Sequence, residues 1–182
     1  MNDRRVVLFR GLNVGRANRL TMAVLRETLA SEGCRDVRTY LQSGNAVVRA
    51  PDGEASGALA ERLGAAVSQR TGGAVAAHVL TVPELRRIVE GNPFPEATSA
   101  PRSLHLLFLA GPPAANASVR LGEVAADGES FALGDGVVYL HAPQGVGRSK
   151  LAAGAERRVG VPATARNWRT VTAVLDLAER EA

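Results

Sequence analysis

The order of the predicted secondary-structure elements constrains this fold most, because the same series occurs twice. Hydrophobic periodicity in the first half predicts strand, helix, strand, strand, helix, strand and helix at Val6–Phe9, Thr21–Leu29, Val37–Leu41, Ala46–Arg49, Ala55–Gln69, Val75–Leu80 and a stripe of Leu85, Ile88 and Val89. The second half predicts the same order at Leu104–Leu109, Ala114–Val124, Ser130–Leu133, Val137–His141, Ser149–Val159, Val161–Thr164 and Trp168–Ala178. Each half is therefore βαββαβ followed by a helix.

This order indicates an α+β protein, a tandem duplication of ferredoxin-like (βαββαβ) units that are each followed by a helix. The predicted domains are 1–91 and 102–182, each a ferredoxin-like unit plus its helix, joined by a linker at 92–101. The run Leu-Leu-Phe at 106–108 echoes Val-Leu-Phe at 7–9. Identity between the halves is low, so one mixed α+β domain with a coincidental order stays open as the alternative.

Cysteine, histidine and apolar content exclude several classes of protein. The sequence contains no apolar run long enough for a membrane span, and we expect no signal peptide. A single cysteine, Cys34, excludes an intrachain disulfide and favours a cytoplasmic location, with a half-buried thiol as its expected state. His78, His105 and His141 fall on three separate predicted strands, so we predict no metal site.

Charge is distributed unevenly along the chain. The net charge is +4, and all but one of the 22 basic residues are Arg. Residues 4–38 carry eight Arg against three carboxylates, and residues 148–169 carry five Arg and one Lys against one carboxylate, a net of +5 in each segment. Residues 51–135 carry six Arg against ten carboxylates, a net of −4. If the two basic segments meet, they create a field that attracts anions.

The first candidate site is the loop at 10–19 together with the turn at 42–45. In a βαββαβ sheet with strand order 4-1-3-2, the end of the first strand lies beside the start of the third, so this loop and turn share one edge. The side chains expected there are Arg10, Asn13, Asn18, Arg19, Gln42, Ser43 and Asn45. Glycines in both segments let backbone N–H groups approach a ligand. Turn chemistry alone is the alternative explanation for these amides and glycines.

Two further candidates lie in the second half. Arg148, Ser149 and Lys150 follow two glycines at a predicted helix start, where cations oppose the helix dipole unless an anion is bound. A solvated, exposed pair is the alternative. Arg166 and Asn167 lie at a strand-to-helix junction beside Trp168, and Arg166 is suited to grip phosphate or carboxylate. Core packing is the first expectation for Trp168 and base stacking the second.

Catalytic and cofactor fingerprints do not appear in these loops. The Walker A spacing, the Rossmann glycine pattern and a nucleophile elbow are all absent from the sequence. Lys150 and the hydroxyls of Ser43 and Ser149 are the only plausible reactive groups among the polar loops. The cofactor, the reaction and the oligomeric state are therefore unknown at this stage.

Five parts of the sequence resemble one bacterial family. They are Leu-Phe-Arg-Gly-Leu-Asn-Val-Gly at 8–15, Met22 with Leu25, Val-Arg-Thr-Tyr-Leu-Gln-Ser-Gly-Asn at 37–45, Arg-Ser-Lys-Leu at 148–151 and Ala-Thr-Ala-Arg-Asn-Trp at 163–168. The chain resembles the domain of unknown function 1697 family over essentially its whole length. That resemblance implies tandem ferredoxin-like repeats and candidate positions, but no reaction.

The loop departs from the family pattern at one point. Where the family usually has Gly-Gly-Lys-Asn, this chain has Gly15-Arg16-Ala17-Asn18. Charge remains available from Arg16 or Arg19, but this loop offers no lysine amine for a chemical role.

The leading functional hypothesis is a site for a phosphorylated or otherwise anionic small molecule. Arg10, Lys150 and Arg166 are assigned to the anion, and the hydroxyls of Ser43 and Ser149 to hydrogen bonds. The amides assigned to orienting polar groups are those of Asn13, Gln42, Asn45 and Asn167. A nucleic-acid-binding protein is the first alternative, weakened by only 4% aromatic residues and no aromatic-bearing RNP pattern. A non-catalytic interaction or regulatory module is the second.

Overall fold

A computed structural model describes residues 3–15 and 17–180, which form two compact units. Unit 1 takes the chain up to Arg86 together with the part from Ala173 onward, and unit 2 runs from Arg87 to Thr172. The end of the chain closes unit 1, since Arg4 Nη1 donates to the carbonyl of Ala178 at 3.2 Å. The two boundaries between the units fall inside the helices Val82–Glu90 and Trp168–Glu179.

The first half of the chain has the predicted order of elements. Its strands and helices are β1 (Arg4–Arg10), α1 (Met22–Ser31), β2 (Arg35–Tyr40), β3 (Asn45–Arg49), α2 (Ser56–Thr71), β4 (Ala76–Thr81) and α3 (Val82–Glu90). Helix α1 begins where Thr21 Oγ1 accepts a hydrogen bond from the N–H of Val24. Before α3, Glu84 accepts from Thr81 N and Thr81 Oγ1 accepts from Glu84 N, which is a capping box.

The second half repeats this order after a 3₁₀ turn at Pro95–Ser99. Its elements are β5 (Leu104–Leu109), α4 (Ala117–Gly122), β6 (Ser130–Gly134), β7 (Val137–His141), α5 (Lys150–Val159), β8 (Ala163–Asn167) and α6 (Trp168–Glu179), with a 3₁₀ turn at Val146–Arg148 before α5. The prediction of two duplicated α+β units is confirmed.

Sheet topology is the same in both halves. The strand orders are β2-β3-β1-β4 and β6-β7-β5-β8, and all neighbouring strands are antiparallel. Both sheets therefore have the predicted 4-1-3-2 order. The end of β1 and the start of β3 meet, with Leu8 opposite Asn45.

Each sheet packs one face on its own helices. In unit 1, alternate residues of β1 and β3 meet the apolar stripes of α1 and α2; the fully or almost fully buried members include Val7, Phe9, Ala46, Val48, Leu25, Leu29, Leu59 and Leu63. In unit 2 the same arrangement joins β5 and β7 to α4 and α5 through Leu107, Leu109, Val138, Leu140, Leu121, Leu151 and Val159. Period-2 strands and helical stripes thus produce a core on the helix-covered face of each sheet.

Two elements of unit 2 differ from the sequence expectation. Helix α4 begins at Ala117 rather than near Ala114, because the carbonyl of Ala114 accepts from the N–H of Ala117 in a three-residue turn and the four-residue helical bonding begins with the N–H of Arg120 and the carbonyl of Asn116. Strand β8 covers Ala163–Asn167 rather than Val161–Thr164, because its register on β5 runs from Ala163 opposite Leu109 to Asn167 opposite His105. Arg166 and Asn167 are therefore strand residues.

An ion triad fastens the helix layer of unit 1 at the end opposite the β1–α1 loop. Arg62 of α2 binds Glu54 with two parallel contacts, Nε to Oε1 at 3.0 Å and Nη2 to Oε2 at 2.6 Å. Its Nη1 also donates to Glu32 Oε2 at 3.0 Å and to the Glu32 carbonyl at the end of α1. The Glu54 side chain is only 18% exposed, so loss of Arg62 leaves a largely buried carboxylate unpaired.

We expect Arg62→Met to lower the free energy of unfolding by about 1–3 kcal/mol, since it breaks a bidentate, part-buried pair. The matched control is Arg35→Met, which breaks the exposed Arg35–Asp52 pair and costs about 0–1 kcal/mol. Urea denaturation of both variants measures the difference. Equal losses in the two variants would show that the triad contributes no more than a surface ion pair.

Candidate functional site

The β1–α1 loop and the β2–β3 turn lie together at one end of the first sheet. The N–H of Phe9 donates to the carbonyl of Gly44 at 2.8 Å, and Asn13 Nδ2 donates to the carbonyl of Gln42 at 2.8 Å. The predicted neighbourhood of these two segments is therefore confirmed. It follows directly from the antiparallel register of β1 and β3.

Asn13 connects the loop, the turn and the start of α1. Its amide nitrogen binds the carbonyls of Leu20 (2.9 Å) and Gln42, and its Oδ1 accepts from the N–H of Leu20 at 2.8 Å. Asn13 has φ 54°, in the left-handed region that asparagine tolerates better than most residues. The side chain thus shapes the loop through three bonds to backbone groups.

Asn18 fastens the other end of the loop to the segment before β4. Its Nδ2 donates to the carbonyls of Gly11 (2.9 Å) and Ala74 (3.1 Å), and its φ is 49°. A Cβ on Gly73 would overlap Asn18 Oδ1, so glycine at 73 permits this close approach. Asn18 therefore joins three parts of unit 1 at the same edge.

Asn45 shapes the turn from inside. It is completely buried at the first position of β3, where its Nδ2 donates to the carbonyl of Tyr40 and to Ser43 Oγ, both at 3.0 Å. Gly44 beside it has φ 73° and packs closely on Phe9 and Leu12. A buried amide and a tightly packed glycine together fix the path of the turn.

A cleft of about 340 Å³ opens between the loop and the turn. It is lined by Asn13, Gly15, Arg19, Leu20, Thr21 and Gln42. Arg19 and Gln42 are exposed, and within residues 3–15 and 17–180 their side chains form no hydrogen bond or ion pair. Arg10 is exposed at the end of β1, and Arg16 lies outside the described residues.

The N-terminus of α1 adds backbone donors to this cleft. The first N–H groups of a helix have no partner within the helix, and Thr21 Oγ1 satisfies only that of Val24. The helix dipole gives this end a partial positive charge. Thr21 was not among the predicted site residues, although its place before the apolar pattern of α1 is an N-cap signal.

The predicted polar residues of unit 2 lie at one end of the second sheet. At this end, the start of β5 lies between His141, the last residue of β7, and Asn167, the last residue of β8. The chain continues from His141 into the 3₁₀ turn and α5. Buried Ser149 caps α5 by accepting from Ala152 N at 2.9 Å, while Arg148 and Lys150 on either side are exposed.

Arg166 and Asn167 occupy the last two positions of β8. Asn167 Oδ1 accepts from the N–H of Thr170 at 2.8 Å and so caps α6. Arg166 Nη1 donates to Thr164 Oγ1 and to the carbonyl of Ala165, both at 2.8 Å, and burial lowers the pKa of its guanidinium to about 10. The expectation that the polar groups of units 1 and 2 share one site stays a prediction.

Cysteine and histidine contribute no metal cluster within the described part of the chain, where no group of three or more His, Cys, Asp or Glu is placed to hold an ion. Cys34 is more deeply buried than expected, at 4% exposure, and burial raises the pKa of its thiol to about 11 although Arg62 opposes the rise. At neutral pH such a thiol is protonated and a poor nucleophile.

His105 carries a buried nitrogen without a hydrogen bond. Its Nδ1 has no partner within residues 3–15 and 17–180, and burial lowers the pKa of the imidazole below its ordinary value. Because cross-strand partners share a face, His105 lies on the helix-covered face of the second sheet with Leu140 and Asn167.

Fold and site together define a class: a duplicated α+β protein with a loop-built polar cleft at one sheet edge of its first unit. A family model described as "Protein of unknown function (DUF1697)" matches residues 2–139, and the chain belongs to this family. The solved structure of the conserved bacterial protein SP0830 from Streptococcus pneumoniae is similar, with a TM-score of 0.73 and 21% identity over 97% of this chain and 98% of that one. At this identity the likeness shows the fold alone.

Two further findings are negative. The search among curated proteins returned no match. Within residues 3–15 and 17–180, no helix has the length and apolar character needed to cross a membrane.

We expect Gly44→Ala to destabilise the protein by about 2–4 kcal/mol, because it adds a positive-φ penalty and a packing clash. Its Cβ would stand 2.9 Å from Phe9 Cβ and 3.1 Å from Leu12 Cδ2. Gly53→Ala is the control, with φ 75° and no atom within 4 Å of its Cβ, and we expect it to cost about 1–2 kcal/mol. Thermal denaturation compares them; equal costs would contradict the close packing at Gly44.

We expect His105→Leu to raise stability by about 0.5–1 kcal/mol at neutral pH, because it removes a buried unpaired nitrogen. The folded pKa of His105 lies below the ordinary 6.5, so the unfolded chain binds more protons as the pH falls through 6.5 and stability drops. The variant should lose part of that acid sensitivity. Urea denaturation at about pH 7.5 and about pH 5.5 measures it; an unchanged pH dependence would contradict the prediction.

Proposed function

We propose that the cleft in unit 1 binds a small anionic ligand, such as a phosphorylated metabolite. The observation that carries the proposal is the convergence of Arg19, Gln42 and the N-terminus of α1 on one open cleft of about 340 Å³. A guanidinium and backbone N–H groups at a helix start are donors suited to phosphate or carboxylate.

The hydrogen bonding of the polar side chains around the cleft supports this proposal. The side-chain amides of Asn13 and Asn18 donate hydrogen bonds to backbone carbonyls, and Asn45 is buried. These three residues therefore hold the loop and the turn in place. Arg19 and Gln42 make no such bonds within the described part of the chain. We therefore assign ligand contact to Arg19 and Gln42 and positioning to the asparagines.

The local charge also supports an anion. Residues 4–38 carry a net charge of +5, and the cleft is formed within this segment and the turn that follows it. A net positive charge of this kind raises the local concentration of anionic ligands.

Thermal shift and calorimetry with inorganic phosphate, ribose 5-phosphate and adenosine monophosphate test the proposal. A ligand at about 100 times its Kd stabilises the native state by about 2.7 kcal/mol, which raises Tm measurably. We expect Arg19→Met to weaken binding about ten-fold or more, as the loss of a charge-assisted hydrogen bond does. Gln42→Ala should weaken it less, because it removes a neutral donor and acceptor.

Two controls locate the binding. Arg35→Met removes one positive charge from unit 1 at the opposite end of the sheet, where Arg35 of β2 lies across from Arg49 of β3. This variant should leave affinity nearly unchanged. Lys150→Met removes the cation at the start of α5. If Lys150→Met abolishes the shift and Arg19→Met does not, the anion binds in unit 2 and the proposal is wrong.

Nucleic acid is the remaining outcome of this experiment. If none of the three probes shifts Tm, and an RNA oligonucleotide binds with an affinity that falls steeply with salt, the cleft proposal is replaced by the nucleic-acid hypothesis.

A further inference from the structure

The outer edge of β6 is an open sheet edge in unit 2. Strand β6 pairs only with β7 in the order β6-β7-β5-β8, in an unbroken register from Ser130 opposite His141 to Gly134 opposite Val137. Its sequence, Ser-Phe-Ala-Leu-Gly, has no charged residue and no proline, and Leu133 is 37% exposed. Such an edge presents unpaired backbone N–H and C=O groups.

The equivalent strand of unit 1 is protected against edge pairing. Strand β2 holds the same position in its sheet but carries Arg35, Asp36 and Arg38, and its register on β3 shifts between Arg35 and Arg38. Asp36 has φ 48° and pairs with Arg49 at 3.2 Å. Charges and irregularities of this kind are the usual means of blocking an edge. The two units thus share a topology and differ in the protection of this edge strand.

A carboxylate lies at each end of the open edge. Glu129 immediately precedes β6 and Asp135 immediately follows it. Residues 121–147 contain four carboxylates and no Lys or Arg, a net charge of −4 in a chain whose net charge is +4. The local charge therefore attracts a cationic partner and repels nucleic acid and anionic membranes.

We propose that β6 binds an extended, basic peptide segment of a partner protein, which adds a fifth strand to the sheet. Main-chain hydrogen bonds hold the added strand, and cations near its two ends face Glu129 and Asp135. These carboxylates are six residues apart along the chain, about 20 Å in an extended strand, so the partner's cations lie at a similar spacing. This inference does not depend on the proposed anion site.

A second copy of the chain fits this edge poorly. Two β6 strands paired antiparallel about Ala132 would place Glu129 of one copy beside Asp135 of the other, at both ends of the pair. Like charges directly opposite on neighbouring strands are destabilising. Charge complementarity thus favours a basic partner over self-association.

The probe is the labelled peptide Lys-Val-Thr-Val-Thr-Val-Lys, with its cations six residues apart. Fluorescence anisotropy measures affinity, and amide hydrogen exchange of the full chain measures protection of β6. We expect saturable binding, with slower exchange of β6 backbone amides that face outward. Lys-Val-Thr-Pro-Thr-Val-Lys, which lacks the central N–H, and Glu-Val-Thr-Val-Thr-Val-Glu, which reverses the charge, should each bind at least about ten-fold more weakly.

Substitutions in the chain separate charge from fold. Glu129→Gln with Asp135→Asn should weaken the lysine peptide about ten-fold in total, and Leu133→Lys should weaken it further by placing a charge on the edge as in β2. Glu61→Gln removes an exposed carboxylate from α2 of unit 1 and should leave binding unchanged.

Several results would overturn the proposal. Equal binding of the proline or glutamate peptide, protection located outside β6, or no binding of the lysine peptide would each do so. Concentration-dependent dimerisation of the chain alone, with protected β6 amides, would assign the edge to a second copy instead.

Discussion

The antiparallel pairing of β1 with β3 is the constraint on which the candidate site depends. It places Phe9 beside Gly44 and so brings a loop and a turn, 29 residues apart at Asn13 and Gln42, to one sheet edge. The approach is close enough that the position beside Phe9 must be glycine. Once that edge exists, the asparagine bonds are local consequences, and the cleft is the space that the loop and turn leave in front of α1.

Many polar side chains in the loops of this protein form hydrogen bonds to backbone groups and so fix the path of the chain. Asn13 and Asn18 bind carbonyls, while Ser149 and Asn167 cap helices α5 and α6. Each of these groups satisfies a backbone donor or acceptor that would otherwise be unpaired near a loop or helix end. A loop rich in amides therefore indicates a defined backbone path, and Arg19 and Gln42 are the exposed polar side chains that line the cleft beside it.

The two duplicated units have the same strand order but different side chains on their edge strands. Both units have the 4-1-3-2 sheet and a helix layer on one face, because the order of elements and right-handed crossovers leave few other arrangements. Side chains at the edges are under no such constraint. The second strand is charged and irregular in unit 1 and uncharged and regular in unit 2, so the two units present different surfaces to a partner.

Hydrophobic periodicity predicted the order of elements, and the few sheets that a βαββαβ order allows then predicted the strand order and the meeting of the 10–19 loop with the 42–45 turn. Folding of the whole chain fixes where α4 and β8 begin, which amides bind backbone groups, and where the cleft opens. The bond from Asn18 to Ala74, 56 residues away, shows the reason: hydrogen-bond partners so distant in sequence are set only when the strands pack.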